Sequence, residues 1–138
     1  EFHHGHTYTG NPVACAAGHA VLKEIEERNA IANGRGMGER IRVRLEAFKE
    51  RFPFIGDVRG IGLLQGMEFV QDRERKEPFG PDTPIVKLID QAARKRGLIM
   101  RCGPDYIALA PPLIITSSEV DEMLDILEDS LVEAAGKL

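Results

Sequence analysis

The stretch Ile55-Gly56-Asp57-Val58-Arg59-Gly60-Ile61-Gly62-Leu63-Leu64-Gln65-Gly66-Met67-Glu68-Phe69-Val70 decides the fold class. On either side of it, apolar residues recur at helical spacing. Here that period disappears, glycines stand at 56, 60, 62 and 66, and the apolar residues between them are partly β-branched. The segment reads as two strand segments turning around Arg59-Gly60.

Upstream, Ala14, Ala17, Val21 and Ile25 form one apolar stripe along a helix over residues 13–28, with Lys23, Glu24, Glu26 and Glu27 on the other face. Asn29 to Gly36 breaks it loosely. A second helix runs from about Arg35 to Arg51 on Met37, Ile41, Leu45 and Phe48, until Pro53 ends it, and the two helices are expected to pack on a common layer. Downstream, Gln71 to Asp82 is a polar loop. Thr83 is the expected cap of a third helix with Pro84 in its first position, the stripe Ile85, Leu88, Ile89, Ala92 and Ala93, and Gly97 at its end. Leu98–Arg101 and Tyr106–Leu109 form a hairpin around Cys102-Gly103-Pro104-Asp105. Thr116 and Glu119 form a capping box for a last helix on Val120, Met123, Leu124, Leu127 and Leu131. The order helix, helix, strands, helix, hairpin, helix gives a two-layer α+β domain, with helices covering a small, largely antiparallel sheet.

The chain's 138 residues suffice to bury about two-thirds of the unfolded surface. Its 43% hydrophobic and 29% charged content is that of a soluble globular protein, and no apolar run is long enough to span a membrane. A net charge of −4 with interleaved signs argues against nucleic acid as a partner, and Glu39 to Arg51 reads as a solvated helix face. Two cysteines, Cys15 and Cys102, make no disulfide framework, which fits a cytoplasmic protein. Cys15 and Met100 read as core residues and His19 as packed. His3, His4 and His6 crowd together without ligand-spaced partners apart from Glu1, and read as loop histidines rather than a metal site. The chain opens on Glu1-Phe2, in the middle of a motif and without a methionine, as a fragment would.

Two places carry chemistry. His3-His4-Gly5-His6-Thr7-Tyr8-Thr9-Gly10-Asn11-Pro12 leads into the first helix, with Asn11 as N-cap and Pro12 at its first position. The free N–H groups and positive dipole end of a helix start favour a phosphate, with the Thr7 and Thr9 hydroxyls just upstream; the same residues also serve simply to end a loop. Arg101 stands at a strand end beside a turn. Its guanidinium fork matches a planar carboxylate, although an arginine in that position can also be merely solvated.

The first stretch, continued through Val13-Ala14-Cys15-Ala16-Ala17, resembles the H-G-x-T-[YF]-x-G-[NH]-P-x-x-C-A-A segment of class III aminotransferases, pyridoxal-phosphate (PLP) enzymes of fold type I. The likeness continues in Asp57-Val58-Arg59-Gly60-Ile61-Gly62-Leu63, in Gly97-Leu98-Ile99-Met100-Arg101 and in Ile107-Ala108-Leu109-Ala110-Pro111-Pro112-Leu113-Ile114-Ile115-Thr116, so it covers essentially the whole chain. Its wording is nearest to ω-transaminases of the amine or ω-amino acid:pyruvate type. The resemblance implies that residues 1–30 are the end of the PLP-binding large domain and 31–138 the C-terminal small domain. It implies that Thr7 binds the phosphate of PLP held by the neighbouring subunit of a homodimer, and that Arg101 binds the substrate carboxylate. The partners it implies are an amino donor and a keto acid such as pyruvate, exchanging an amino group by a ping-pong route.

The same resemblance says what is missing. None of the lysines at 23, 49, 76, 87, 95 and 137 stands in the family's Schiff-base context, so no catalytic residue is assigned to this chain, which is expected to be inactive alone. That lysine should precede Glu1. An aminomutase or decarboxylase of the same family remains open, as does a free-standing, non-catalytic α+β interaction or regulatory module.

Overall fold

The computed structural model describes residues 3–138; Glu1 and Phe2, on which the chain opens, lie outside the described residues. In chain order the elements are α1 (Pro12–Glu27), α2 (Ala30–Arg51), β1 (Ile55–Ile61), β2 (Leu64–Phe69), α3 (Ile85–Lys95), β3 (Arg101–Cys102), β4 (Tyr106–Leu109) and α4 (Ser117–Ala135). The strands form one sheet in the order β1-β2-β4-β3, antiparallel throughout. Helices α2, α3 and α4 cover one face, giving the expected two-layer α+β architecture.

Register sorts the side chains between the faces. Val58 lies opposite Met67 and Met67 opposite Ile107, while Gln65 lies opposite Leu109. All five are buried, on the face where Ile41, Leu45, Leu124, Leu127 and Leu131 close the core. Buried Gln65 is satisfied locally: its Nε2 donates to the Gly62 carbonyl at 2.8 Å and its Oε1 accepts from Arg42 at 3.3 Å.

The β1–β2 turn lies at Gly62-Leu63, three residues beyond the expected Arg59-Gly60. Gly62 has φ +52°, the left-handed conformation that a two-residue hairpin turn asks of its first position. Gly60 stays inside β1, where a Cβ would meet the Leu64 carbonyl at 2.1 Å. Glycine there reports close backbone approach, which composition alone does not separate from a turn.

Helix α2 begins at Ala30, five residues earlier than about Arg35. Its break from α1 is concentrated at Asn29, which adopts the left-handed conformation at φ 49°. Gly34 and Gly38 lie within α2 because the helix passes directly over the hairpin: a Cβ on Gly38 would stand 2.3 Å from the Gly62 carbonyl oxygen, and one on Gly34 would stand 2.9 Å from Leu113 Cδ2. The Asn33 amide donates to the carbonyls of Leu113 (2.8 Å) and Ile115 (3.0 Å), tying the same end of α2 to the segment before α4.

The stretch expected to be a solvated face of α2 is an ion-pair seam with α4. Arg40 binds Asp121 through two 2.7 Å hydrogen bonds, Arg44 binds Asp125 and Glu128, and Arg51 binds Glu128. The expected capping box at Thr116 and Glu119 is present, and Val120, Leu124, Leu127 and Leu131 are fully buried. At α3 the N-cap is Pro84 rather than Thr83, with no side-chain cap bond.

Helix α1 forms as expected, with Asn11 Oδ1 accepting from the Ala14 N–H at 3.0 Å and Pro12 in the first turn. It does not share the core layer with α2, for none of its residues is buried. Cys15 and His19, expected inside, are exposed, whereas Met100 is buried. Periodicity identifies an apolar stripe without saying where its cover comes from.

The contact between α2 and the hairpin turn makes opposite predictions for two glycines of one helix. Gly38→Ala should cost about 2–3 kcal/mol, because the new methyl meets backbone that cannot yield cheaply. Gly36→Ala, with open space around its Cβ, should stabilise by about 0.5–1 kcal/mol through lower unfolded-state entropy. Urea unfolding midpoints followed by circular dichroism measure both.

Candidate functional site

The sheet face away from the helices is built in rows. Antiparallel register places Arg59, Gly66, Ala108 and Arg101 in one line across all four strands. The adjacent row is Asp57, Glu68 and Tyr106. On the other side, at the hairpin end, stand Ile61 and Leu64, both exposed.

The two arginines of the first row have different fates. Arg59 pairs with Glu68, its diagonal neighbour on β2, and lies 3.7 Å from Asp57. Asp57 also receives the Lys49 ammonium; partial burial opposes its ionisation, yet the Lys49 and Val58 hydrogen bonds and the charges of Lys49 and Arg59 carry its carboxyl below the ordinary value. Arg101 faces Ala108 directly, Tyr106 and Ala110 diagonally, and Gly103 and Ile99 along its own chain. None of these can supply a counter-charge. Among the described residues, nine of the twelve arginines pair with a carboxylate and Arg73 donates to the carbonyls of Lys49, Phe52 and Ile55. Only Arg35 and Arg101 hold neither kind of partner, and Arg101 stands on the edge strand β3 with uncharged register neighbours.

Thr7 lies in the exposed turn before α1. The Thr9 hydroxyl accepts from the His6 N–H at 3.1 Å, the Thr9 N–H returns to the His6 carbonyl at 2.9 Å, and Gly10 takes φ +79°. The Thr7 hydroxyl makes no hydrogen bond among the described residues. An uncommitted hydroxyl next to the positive end of a helix is a donor set that suits a phosphate edge. Lys23, the lysine nearest this turn in sequence, is on α1 and pairs with Glu27. Thr7 and Arg101 stand on separate parts of the chain, the first in the exposed turn before α1 and the second on the sheet.

Among the described residues no group of three His, Cys, Asp or Glu side chains could hold a metal ion; the His4 and His6 rings meet edge to face at 5.1 Å. No helix of the described residues is long and apolar enough to cross a membrane. A cavity of about 510 Å³ opens beside the Asp57–Glu68 row, lined by Asp57, Arg59, Glu68, Arg73, Lys76 and Asp105. Its acids and bases balance, so it has no net preference for an anion, and Arg101 does not line it.

The sequence profile of the family described as "Aminotransferase class-III" matches residues 1–131. The chain is 40% identical over 132 residues to an uncharacterised aminotransferase of Sinorhizobium fredii, covering 94% of this chain and 28% of that protein. It is 36% identical over 130 residues to the mitochondrial gamma-aminobutyrate transaminase 1 of Oryza sativa subsp. indica, covering 94% of this chain and 25% of that protein. The chain thus spans about a quarter of the length of these relatives. Among solved structures, it resembles an (S)-enantioselective ω-transaminase from Thermomicrobium roseum, with a TM-score of 0.88 and 36% identity over 97% of this chain and 30% of that one. It likewise resembles the PMP-bound form of an aminotransferase from Vibrio fluvialis, with a TM-score of 0.90 and 34% identity over 99% of this chain and 30% of that one.

Cys102, next to Arg101, points toward helix α3 and not toward the open face: its thiol lies 3.5 Å from Asp90 Oδ1. Partial burial and then the Asp90 charge push the thiol up to about 11 from its ordinary 9.0, so little thiolate exists near neutral pH. Iodoacetamide should therefore label exposed Cys15 well before Cys102 at pH 8. The Cys102 rate should climb with pH until about 11, and Asp90→Asn should raise it at pH 8 by removing the charge that opposes the thiolate. Peptide mass spectrometry of timed samples reads out each site.

Proposed function

The chain belongs to the class III aminotransferases, and from that membership we propose that it is the C-terminal part of a PLP-dependent enzyme that moves an amino group from an amine or ω-amino acid to a keto acid such as pyruvate. The observation that carries this reading is Arg101, a guanidinium without a carboxylate partner among the described residues and with uncharged register neighbours, which suits the carboxylate of a keto acid. PLP, when bound, supplies the electron sink through which the amino group passes between donor and acceptor. The residues of this chain bind and orient. Arg101 holds the acceptor carboxylate, which fixes the keto carbon relative to the cofactor. Thr7 donates its hydroxyl to the cofactor phosphate.

In this reading residues 1–30 end the large cofactor-binding domain and 31–138 form the small domain. The support is that α1 contributes nothing to the core while burial begins at Ala30. Its exposed apolar residues, Val13, Val21 and Leu22, suit a helix whose cover lies elsewhere in the assembled enzyme. Thr7, on the exposed loop before that helix, serves the cofactor of the neighbouring subunit in a homodimer. The enzyme is cytoplasmic, in keeping with two free cysteines.

In the full-length enzyme, Arg101→Ala should cost turnover of carboxylate-bearing partners about 2–5 kcal/mol while sparing simple monoamines, which have no carboxylate for the guanidinium to hold. Single-turnover kinetics separate the donor and acceptor halves. Equal losses for a monoamine and for pyruvate would assign Arg101 to the fold instead.

Thr7→Ala should weaken PLP retention by about 1–3 kcal/mol, the cost of a lost hydrogen bond to a charged group. The defect should act in trans. A heterodimer of a Thr7→Ala subunit with one lacking the cofactor-binding lysine should keep normal affinity at its single lysine-bearing site. A site as weak there as in the Thr7→Ala homodimer would refute the cross-subunit role.

A further inference from the structure

Two hydrogen-bond donors stand side by side on the outer sheet face with no acceptor of their own. Arg101 is the first. Tyr106 is the second: it lies directly opposite Glu68 in the β2–β4 register, but Glu68 is held by Arg59. The Tyr106 hydroxyl makes no hydrogen bond among the described residues. Its ring lies over Gly103. Gly103 donates its N–H to the Tyr106 carbonyl at 2.8 Å, and a Cβ at position 103 would stand 2.1 Å from Tyr106 Cε1 and 2.5 Å from Cδ1. The ring therefore fills the space that a side chain at 103 would need. Arg101 and Tyr106 are diagonal neighbours across the β3–β4 pair, and Cβ atoms so related are about 7–8 Å apart at most, within reach of an aromatic and a long side chain.

The pair suits an anion that accepts more than one hydrogen bond. Arg59 takes up both carboxylates of the neighbouring row, so neither the guanidinium nor the phenol is quenched from within. A carboxylate offers two oxygens and can be held by two different donors at once. Resting on the reading of Arg101 given above, we propose that Tyr106 is a second, specificity-determining contact to the same substrate carboxylate, with its hydroxyl donating to one oxygen while Arg101 holds the other. Gly103 is the positioning residue that lets the ring lie there.

The test uses the full-length enzyme, with pyruvate as one acceptor and an aldehyde without a carboxylate as the other. Tyr106→Phe keeps the ring over Gly103 and removes only the hydroxyl. It should raise KM for pyruvate about tenfold, leaving kcat and the aldehyde KM within about twofold of the parent. Gly103→Ala, which displaces the ring but retains the hydroxyl, should give the same selective rise. An unchanged pyruvate KM in Tyr106→Phe, alongside an impaired Arg101→Ala, overturns this proposal alone. If Arg101→Ala also leaves pyruvate untouched, the carboxylate reading of the face falls and this one with it. Equal loss for pyruvate and aldehyde in Tyr106→Phe would assign the hydroxyl to the fold and overturn the proposal as well.

Discussion

The register of β2 between β1 and β4 is the constraint to which the remaining structure answers. Met67 meets Val58 on one side and Ile107 on the other, and these three side chains face the core with Gln65 and Leu109. Side chains alternate along a strand, so a slip of one residue would turn all of them to the opposite face and bring Arg59, Glu68 and Tyr106 inside. Burial of the first set thus holds the second set outward. The hydrophobic core, without touching the candidate site, decides which residues compose it.

That outer face also depends on how its charges are distributed. Arg59 and Arg101 stand in one row, but among the described residues only Arg59 is paired with carboxylates. The Arg59 cluster is internally compensated and solvent-exposed, so it contributes little to stability. Its consequence is local: it occupies Glu68, the carboxylate opposite Tyr106 in register. Between the two arginines stand Gly66 and Ala108, which leave the middle of the row open. Among the described residues, a face so arranged has the unpaired Arg101 at its edge and a neutral floor beside it, a combination suited to holding a small anion.

On the other side of the sheet, α2 acts through absence as much as through contact. Gly34 and Gly38 remove side chains where the helix crosses the Gly62 turn and the Leu113 segment, while Asn33 bonds to that segment and Arg40, Arg44 and Arg51 reach α4. One helix thus fixes the hairpin, the approach to α4 and α4 itself. Helix α1, joined to it through Asn29, shares none of this packing. Its apolar residues are as regular as those of α4, yet α4 is buried and α1 is not.

The sequence by itself determined what depends on near neighbours in the chain. The capping box at Thr116 and Glu119, the Asn11 cap with Pro12, the apolar stripes and the glycine-rich break in helical period all act within a turn or two, and each is found where its pattern lies. The motifs around Thr7 and Arg101 were legible in the same way, as strings of residues. Tertiary structure alone decided what depends on residues distant in sequence. Gly60 and Gly62 look alike as letters; only the hairpin register makes one a strand residue and the other a turn. Cys15 and His19 have core-like surroundings along the helix but are not buried among the described residues. The isolation of Arg101 beside Tyr106 follows from four strands meeting in one order, with Glu68 given to Arg59, and no local pattern encodes that arrangement because the β1–β2 and β3–β4 hairpins lie tens of residues apart.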